Sequence, residues 1–216
     1  LASAVSAMNH NQFSPMGVAG DFNGDGYTDL AHLAPADNHW HVVLNSGSGF
    51  GSEQTWLSLT LPAETVPLVG DVDANGKTDL ILWNSSSGQW QVAKSTGSSF
   101  SLPTPWHSGF GAGATPFMGD FNGDQLLDVG TFSGGTWTIA LSNGTSFGSA
   151  TAWLSGFESG ATPLTGDFNG DGLTDVAVAS SGTISVALSD GSRLNAQPTA
   201  WLTGFGAGQS VTSADL

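Results

Sequence analysis

The segment Asp167-Phe168-Asn169-Gly170-Asp171-Gly172-Leu173-Thr174-Asp175 sets oxygen side chains at its positions 1, 3, 5 and 9. A hard cation such as Ca²⁺ takes six to eight oxygens at about 2.3–2.6 Å. Four side-chain oxygens, with the backbone carbonyl of Leu173, supply most of that shell. The pattern recurs three times. Asp21, Asn23, Asp25 and Asp29 form the first copy. Asp71, Asp73, Asn75 and Asp79 form the second, with Asp and Asn exchanged at positions 3 and 5. Asp120, Asn122, Asp124 and Asp128 form the third. The starts lie 50, 49 and 47 residues apart, so the loops are in register.

Solvated turns are the competing explanation, and electrostatics disfavours it. Each pair of carboxylates held a few ångströms apart repels by roughly 3–4 kcal/mol at an effective dielectric near 20. Three carboxylates per loop without a cation would penalise the fold four times. The expected cofactor is therefore Ca²⁺, up to four ions, in a structural role. The side-chain oxygens are spent on coordination, leaving no open position for an activated water.

Composition agrees. The chain has 216 residues, 18 acids, 3 bases and a formal charge of −15. Twelve of the acids sit in the four loops, so the charge reads as ligands and not as an acidic tail. Lys77, Lys94 and Arg193 are the only bases, too few for a phosphate-binding patch, which excludes nucleic acid as a partner. No apolar run is long enough for a membrane span. There is no cysteine, so no disulfide reports the compartment. Extracellular calcium modules bind at millimolar affinity and stay filled outside the cell, so a secreted location is expected. The start at Leu1-Ala2-Ser3-Ala4 suits a processed or excised piece of a secreted protein. Two N-glycosylation sequons, Asn84-Ser85-Ser86 and Asn143-Gly144-Thr145, matter only in a eukaryotic chain.

The elements around the loops read as strands. A short lead such as Pro67-Leu68-Val69-Gly70 enters each loop, and an apolar run such as Leu80-Ile81-Leu82-Trp83 leaves it. After a turn comes a period-two run: Trp40, Val42, Leu44; Trp90, Val92; Trp137, Ile139, Leu141; Ile184, Val186, Leu188. A hairpin signal and a fourth strand near Trp56, Trp106, Trp153 or Trp201 close each unit. Helical periodicity is absent, which also rejects an EF-hand: position 12 holds His32, Leu82, Thr131 and Val178 instead of the bidentate Glu. Four short antiparallel strands repeated every ~49 residues are the blades of an all-β propeller. The expected units are 17–66, 67–115, 116–162 and 163–208 within a single propeller or propeller segment, 1–216. Residues 209–216 would start a further unit or supply a closing strand.

The Gly-Asp-Phe-Asn-Gly-Asp-Gly core between strands, and Ser-Asn-Gly-Thr-Ser-Phe at 142–147, resemble the FG-GAP (integrin-like, VCBS-type) repeat over roughly residues 13–216. The resemblance implies a Ca²⁺-loaded β-propeller, usually of seven blades, in a family that includes integrin heads, fungal propeller lectins and accessory modules of secreted bacterial proteins. It also implies that the carbonyls of Tyr27, Lys77 and Leu126 join the side-chain ligands. Gln125 departs from the pattern, standing where the other loops have Gly, so the third site is expected to be the weakest.

The aromatic residues carry the functional expectation. Trp40, Trp90 and Trp137 share a strand face with Val and Leu and read as core. Trp56, Trp106, Trp153 and Trp201 lie near the outer strand. Phe110, Phe157 and Phe205 follow the last three by four residues. Aromatic faces stack on the apolar faces of sugars, and propeller lectins of the resembling family bind sugars in inter-blade clefts. These seven are the candidate ligand-binding residues. His39 and His41 flank Trp40 on one strand with His32 nearby, a candidate transition-metal cluster weighed against an exposed polar edge. Catalysis has little support: no Cys, no Gly-x-Ser-x-Gly elbow, few carboxylates outside the loops. The reading is a secreted, non-catalytic, calcium-stabilised glycan-binding module. The alternative is a structural or protein-adhesion module of a larger secreted protein or enzyme, with self-association through terminal strands as a further partner mode.

Overall fold

The computed structural model describes residues 16–205 except Pro35 and Ala63. The expected closing or further unit at 209–216 lies outside the described residues. Among the described residues sixteen strands form four sheets, all antiparallel and all in chain order. The first sheet is β1 (Met16–Gly20), β2 (Asp29–Ala34), β3 (His39–Val43) and β4 (Gln54–Ser58). The second is β5 (Thr65–Gly70), β6 (Asp79–Asn84), β7 (Trp90–Ala93) and β8 (Thr104–His107). The third is β9 (Thr115–Gly119), β10 (Asp128–Ser133), β11 (Thr136–Ala140) and β12 (Thr151–Leu154). The fourth is β13 (Thr162–Gly166), β14 (Asp175–Ser180), β15 (Thr183–Ala187) and β16 (Thr199–Thr203). The described residues contain no helix.

Local chemistry explains the pattern. Pro67, Pro116 and Pro163 sit in the first strand of a sheet, an edge where a missing N–H costs no inner ladder bond. Strand alternation buries Trp40 and Val42 while His39, His41 and Val43 stay partly open. Each third–fourth strand pair slips register at the same place: Trp40/His41, Trp90/Gln91, Trp137/Thr138 and Ile184/Ser185. A bulge there bends the outer strand and re-aims its side chains.

The chain divides into two compact units, one holding the first two sheets up to Ala112 and one holding the last two from Gly113. In the first unit Phe22, Trp40, Val42, Trp56, Leu80, Leu82 and Phe100 share one core cluster. In the second, Phe117, Phe121, Trp137, Ile139, Trp153, Val176 and Leu194 do the same. A fully buried apolar side chain of this size contributes about 1.5–3 kcal/mol. The indole nitrogens of Trp40 and Trp137 are buried without an acceptor, a cost of roughly 1–3 kcal/mol each that ring burial must offset.

Inside each unit the loops are part of the seam. Thr78 N donates to Asp21 O at 2.7 Å, and the Ser95 hydroxyl donates to Phe22 O at 2.5 Å. The second unit repeats this with Thr174 N to Asp120 O at 2.7 Å and Ser189 Oγ to Phe121 O at 2.8 Å. The Gly before the first and third loops answers to this seam. A Cβ on Gly20 would lie 2.5 Å from the Thr78 methyl, and one on Gly119 would strike Thr174.

Candidate functional site

The first Asp of each loop is a hub for backbone donors. Asp21 Oδ1 accepts from Gly24 N at 2.7 Å and Asp25 N at 3.1 Å, and Oδ2 accepts from Gly26 N at 2.8 Å. Asp120 and Asp167 repeat all three contacts. Asp71 accepts from Asp73 N, Asn75 N and Gly76 N. The third and fifth residues lock the turn the same way: Asn23 Oδ1 takes Asp25 N, and Asp25 Oδ1 takes Tyr27 N, both at 2.9 Å. The loop shape is thus fixed by the chain's own N–H groups.

The ninth residue behaves differently. Asp29, Asp79, Asp128 and Asp175 are fully buried. Each spans the loop and the hairpin that follows. Asp128 Oδ2 accepts from Phe121 N at 3.0 Å and Oδ1 from Ser142 N at 2.7 Å; Asp79 holds Val72 N and Ser95 N. Burial pushes all four carboxyls above the ordinary range, opposed by these N–H bonds and aided by the neighbouring loop acids. Asp79 and Asp128 rise to about 7.

Geometry suits a hard cation best in the second loop. Carboxylate oxygens of Asp71, Asp73 and Asp79 lie within 4.8 Å of one another. Two oxygens on one Ca²⁺ can be no farther apart than roughly 4.6–5.2 Å, twice the bond length. This loop also borrows a cation from the chain, Lys94 Nζ at 2.9 Å from Asp73 Oδ2. In loops one, three and four the Asn amide nitrogen donates to the fifth-position Asp, as Asn23 Nδ2 does to Asp25 Oδ2 at 2.9 Å.

Gln125 takes φ 69°, the left-handed region foreseen for it, and its N–H still reaches Asp120 Oδ2 at 2.8 Å. Ala74, at position 4 of the second loop where the other loops carry Gly, is also left-handed at φ 56°. Gln125→Gly is expected to stabilise by about 0.5–1 kcal/mol, the left-handed penalty less the entropy glycine adds to the unfolded chain. A thermal melt should rise by about 2 °C; a lower melting temperature would contradict strain at this position.

The seven aromatic candidates separate by surroundings. Trp56, Trp106, Trp153 and Phe157 are buried, and Phe110 is half-buried. Trp56 meets Phe22 and Phe100 edge-on, at 6.4 and 5.3 Å. Trp153 shares its cluster with Leu194. Phe110 stacks on Trp90 at 5.2 Å. Trp201 and Phe205 stay open, 48% and 50% exposed. Ile184 stands in the fourth sheet where the others carry Trp, so Phe205 has no indole to lie on.

A feature outside the sequence reading is a shallow cleft of about 490 Å³ on the first sheet's loops. Asn23, Asp25, Leu44, Asn45, Ser46 and Phe50 line it, with Ser48 and two glycines. Phe50 is 55% exposed, whereas Phe100, its counterpart one repeat on, is buried against Trp56.

The FG-GAP-like repeat pattern matches four overlapping stretches, 21–82, 71–131, 120–178 and 167–216. The chain belongs to this family. Among solved structures the FG-GAP chain is similar to an Agrocybe aegerita lectin that recognises non-reducing terminal N-acetylglucosamine. That match has TM-score 0.76 and 20% identity, and it covers 89% of this chain and 53% of the lectin. It is also similar to part of the Photorhabdus luminescens Tc holotoxin pore, at TM-score 0.61 and 17% identity over 91% of this chain and 10% of that one. The FG-GAP chain spans about half the length of the lectin. At these identities the likeness establishes the fold, an all-β assembly of propeller blades. No curated protein matches the sequence.

Proposed function

We propose that this FG-GAP chain is a secreted, calcium-stabilised carbohydrate-binding module without catalytic activity of its own. The observation that carries the reading is the cleft beside the first loop. It joins an open aromatic ring, Phe50, to amide and hydroxyl groups of Asn45, Ser46 and Ser48, with the loop residues Asn23 and Asp25 forming its wall. A sugar needs that pairing: a flat apolar face for its C–H groups and hydrogen-bonding partners for its hydroxyls. The lectin of the same fold recognises a terminal N-acetylglucosamine, which makes terminal amino sugars the first class to try. Trp201 on the last strand and Phe205 just after it are two further open aromatic rings. Calcium would brace the Asp21–Asp29 loop that forms one wall of the cleft.

A second reading has its own observation. Phe100 is buried against Trp56 of the preceding blade, and Phe50, its counterpart, fits the same seam role against a neighbouring blade. That reading makes the chain a structural or adhesion segment of a larger secreted protein. A glycan array with the protein in millimolar CaCl₂ separates the two. The expected result is binding to a restricted glycan set, with Phe50→Ala about tenfold weaker, the ~1.4 kcal/mol of one lost stacking contact. An empty array, or hits indifferent to both Phe50→Ala and Trp201→Ala, would favour the structural reading.

A further inference from the structure

We propose that Asp37, His39 and His41 form a site for a borderline transition-metal ion of the Zn²⁺ class, with an open fourth position, on the first sheet. The three ligand atoms lie within 4.8 Å of one another. Asp37 Oδ2 is 3.0 Å from His41 Nε2 and 3.6 Å from His39 Nδ1. Tetrahedral zinc with bonds of about 2.0–2.2 Å puts its ligands roughly 3.3–3.5 Å apart, so the two edges at Asp37 need only small adjustment. The backbone explains the fit. His39 and His41 are two apart on β3 and face one side, opposite the buried Trp40. Asp37 sits on the preceding turn, where Asn38 is left-handed at φ 59°. Its Oδ1 accepts the His39 backbone N–H at 3.0 Å, which leaves Oδ2 for the imidazoles.

A supporting shell is also in place. A metal-ligating His keeps its second nitrogen on a carboxylate or similar acceptor, which fixes tautomer and ring direction. His41 Nδ1 faces Glu53 Oε1 at 3.6 Å and Thr55 Oγ1 at 3.4 Å. Glu53 is itself held by His32 Nε2 at 2.6 Å. His32 and His41 stack with ring centroids 5.6 Å apart. The repeat does not require any of this. The second sheet has Gln89 and Gln91 where the first has His39 and His41, and Leu82 where it has His32. Imidazole nitrogen suits Zn²⁺ and its neighbours, whereas the acidic loops are all oxygen and suit Ca²⁺. The two ion classes therefore have separate homes on this chain. Three protein ligands leave one position for water or for a donor from a bound molecule.

The test is calorimetric titration of Zn²⁺ into the full chain held in millimolar CaCl₂, with Co²⁺ absorption as a geometric probe. One zinc per chain and a tetrahedral cobalt band are expected. The double variant His39→Gln/His41→Gln gives the first sheet the residues the second already carries, so it should fold with an unchanged melt. It should lose zinc affinity at least a hundredfold. Asp37→Asn, on an exposed turn, provides a second ligand variant, expected to be at least tenfold weaker. Glu53→Gln should weaken binding about 10–100-fold while keeping one site, the mark of a positioning residue. Zinc binding that survives the double variant would assign the ion to the carboxylate loops and overturn the proposal, as would absence of binding at millimolar zinc.

Discussion

Stripping divalent ions from the chain is expected to lower its melting temperature by about 20 °C or more, and millimolar Ca²⁺ should restore it. In the second loop, three carboxylates sit within 4.8 Å of one another. Each such pair costs roughly 3.5 kcal/mol at an effective dielectric of 20. Lys94 relieves part of that in one loop. A bound ion removes the repulsion and stabilises only the folded chain, where its ligands converge. At a hundredfold excess over the dissociation constant, each site contributes about 2.7 kcal/mol. Four sites give on the order of 11 kcal/mol, and a chain of this size gains about 2–4 °C per kcal/mol. Calorimetry with and without chelator measures it. An unchanged melt would mean that the N–H cradle around Asp21, Asp71, Asp120 and Asp167 suffices alone, and would sink the calcium reading.

That cradle marks where sequence legibility ended. The repeat, its four strands and its antiparallel order were all readable, because period-two alternation and loop spacing are local properties. The left-handed backbone at Gln125 was readable too, since one Gly was missing from an otherwise regular place. The fate of the aromatic residues was not. Whether Trp56 is a sugar platform or a seam residue depends on Phe100, 44 positions away, meeting its edge. Trp153 and Trp201 sit in segments that differ at one residue, Ser155 against Thr203, yet Trp153 is buried and Trp201 stays open. Phe205 differs from Phe110 because Ile184 replaces a tryptophan two strands back, a substitution that matters only once the blade is folded. Residue type and spacing mark the ninth-position aspartates only as candidate ligands. Their oxygens also hold two backbone N–H groups from opposite sides of the loop, as Asp128 does for Phe121 and Ser142.

Those buried aspartates set up the sharpest test, because metal-free and calcium-loaded protein should respond to pH with opposite signs. Asp79 and Asp128 have folded values of about 7 against an ordinary 3.8, chiefly from burial. Between those values the metal-free native state holds protons that the unfolded chain has released. Its stability is therefore greatest near pH 4 and falls as pH rises toward 7, by roughly 1.4 kcal/mol per unit and group. The two groups act in the same direction, and most of the loss is complete by pH 8. Asp29 and Asp175 are raised for the same reason and add in the same direction. Asp190, drawn down to about 2 by the Ser192 hydroxyl, and Asp37, lowered by the His39 N–H, titrate below this window. Calcium reverses the slope. The ion binds the ionised carboxylates, so protons compete with it, and acidification below pH 7 removes the stabilisation it provides. Urea unfolding at pH 5 and pH 8 reads both slopes, on protein stripped of metal and on protein in millimolar CaCl₂. Stripped protein should be more stable at pH 5, loaded protein at pH 8. Slopes of the same sign would show that the ninth-position carboxylates do not reach the ion, leaving them as buried braces between loop and hairpin.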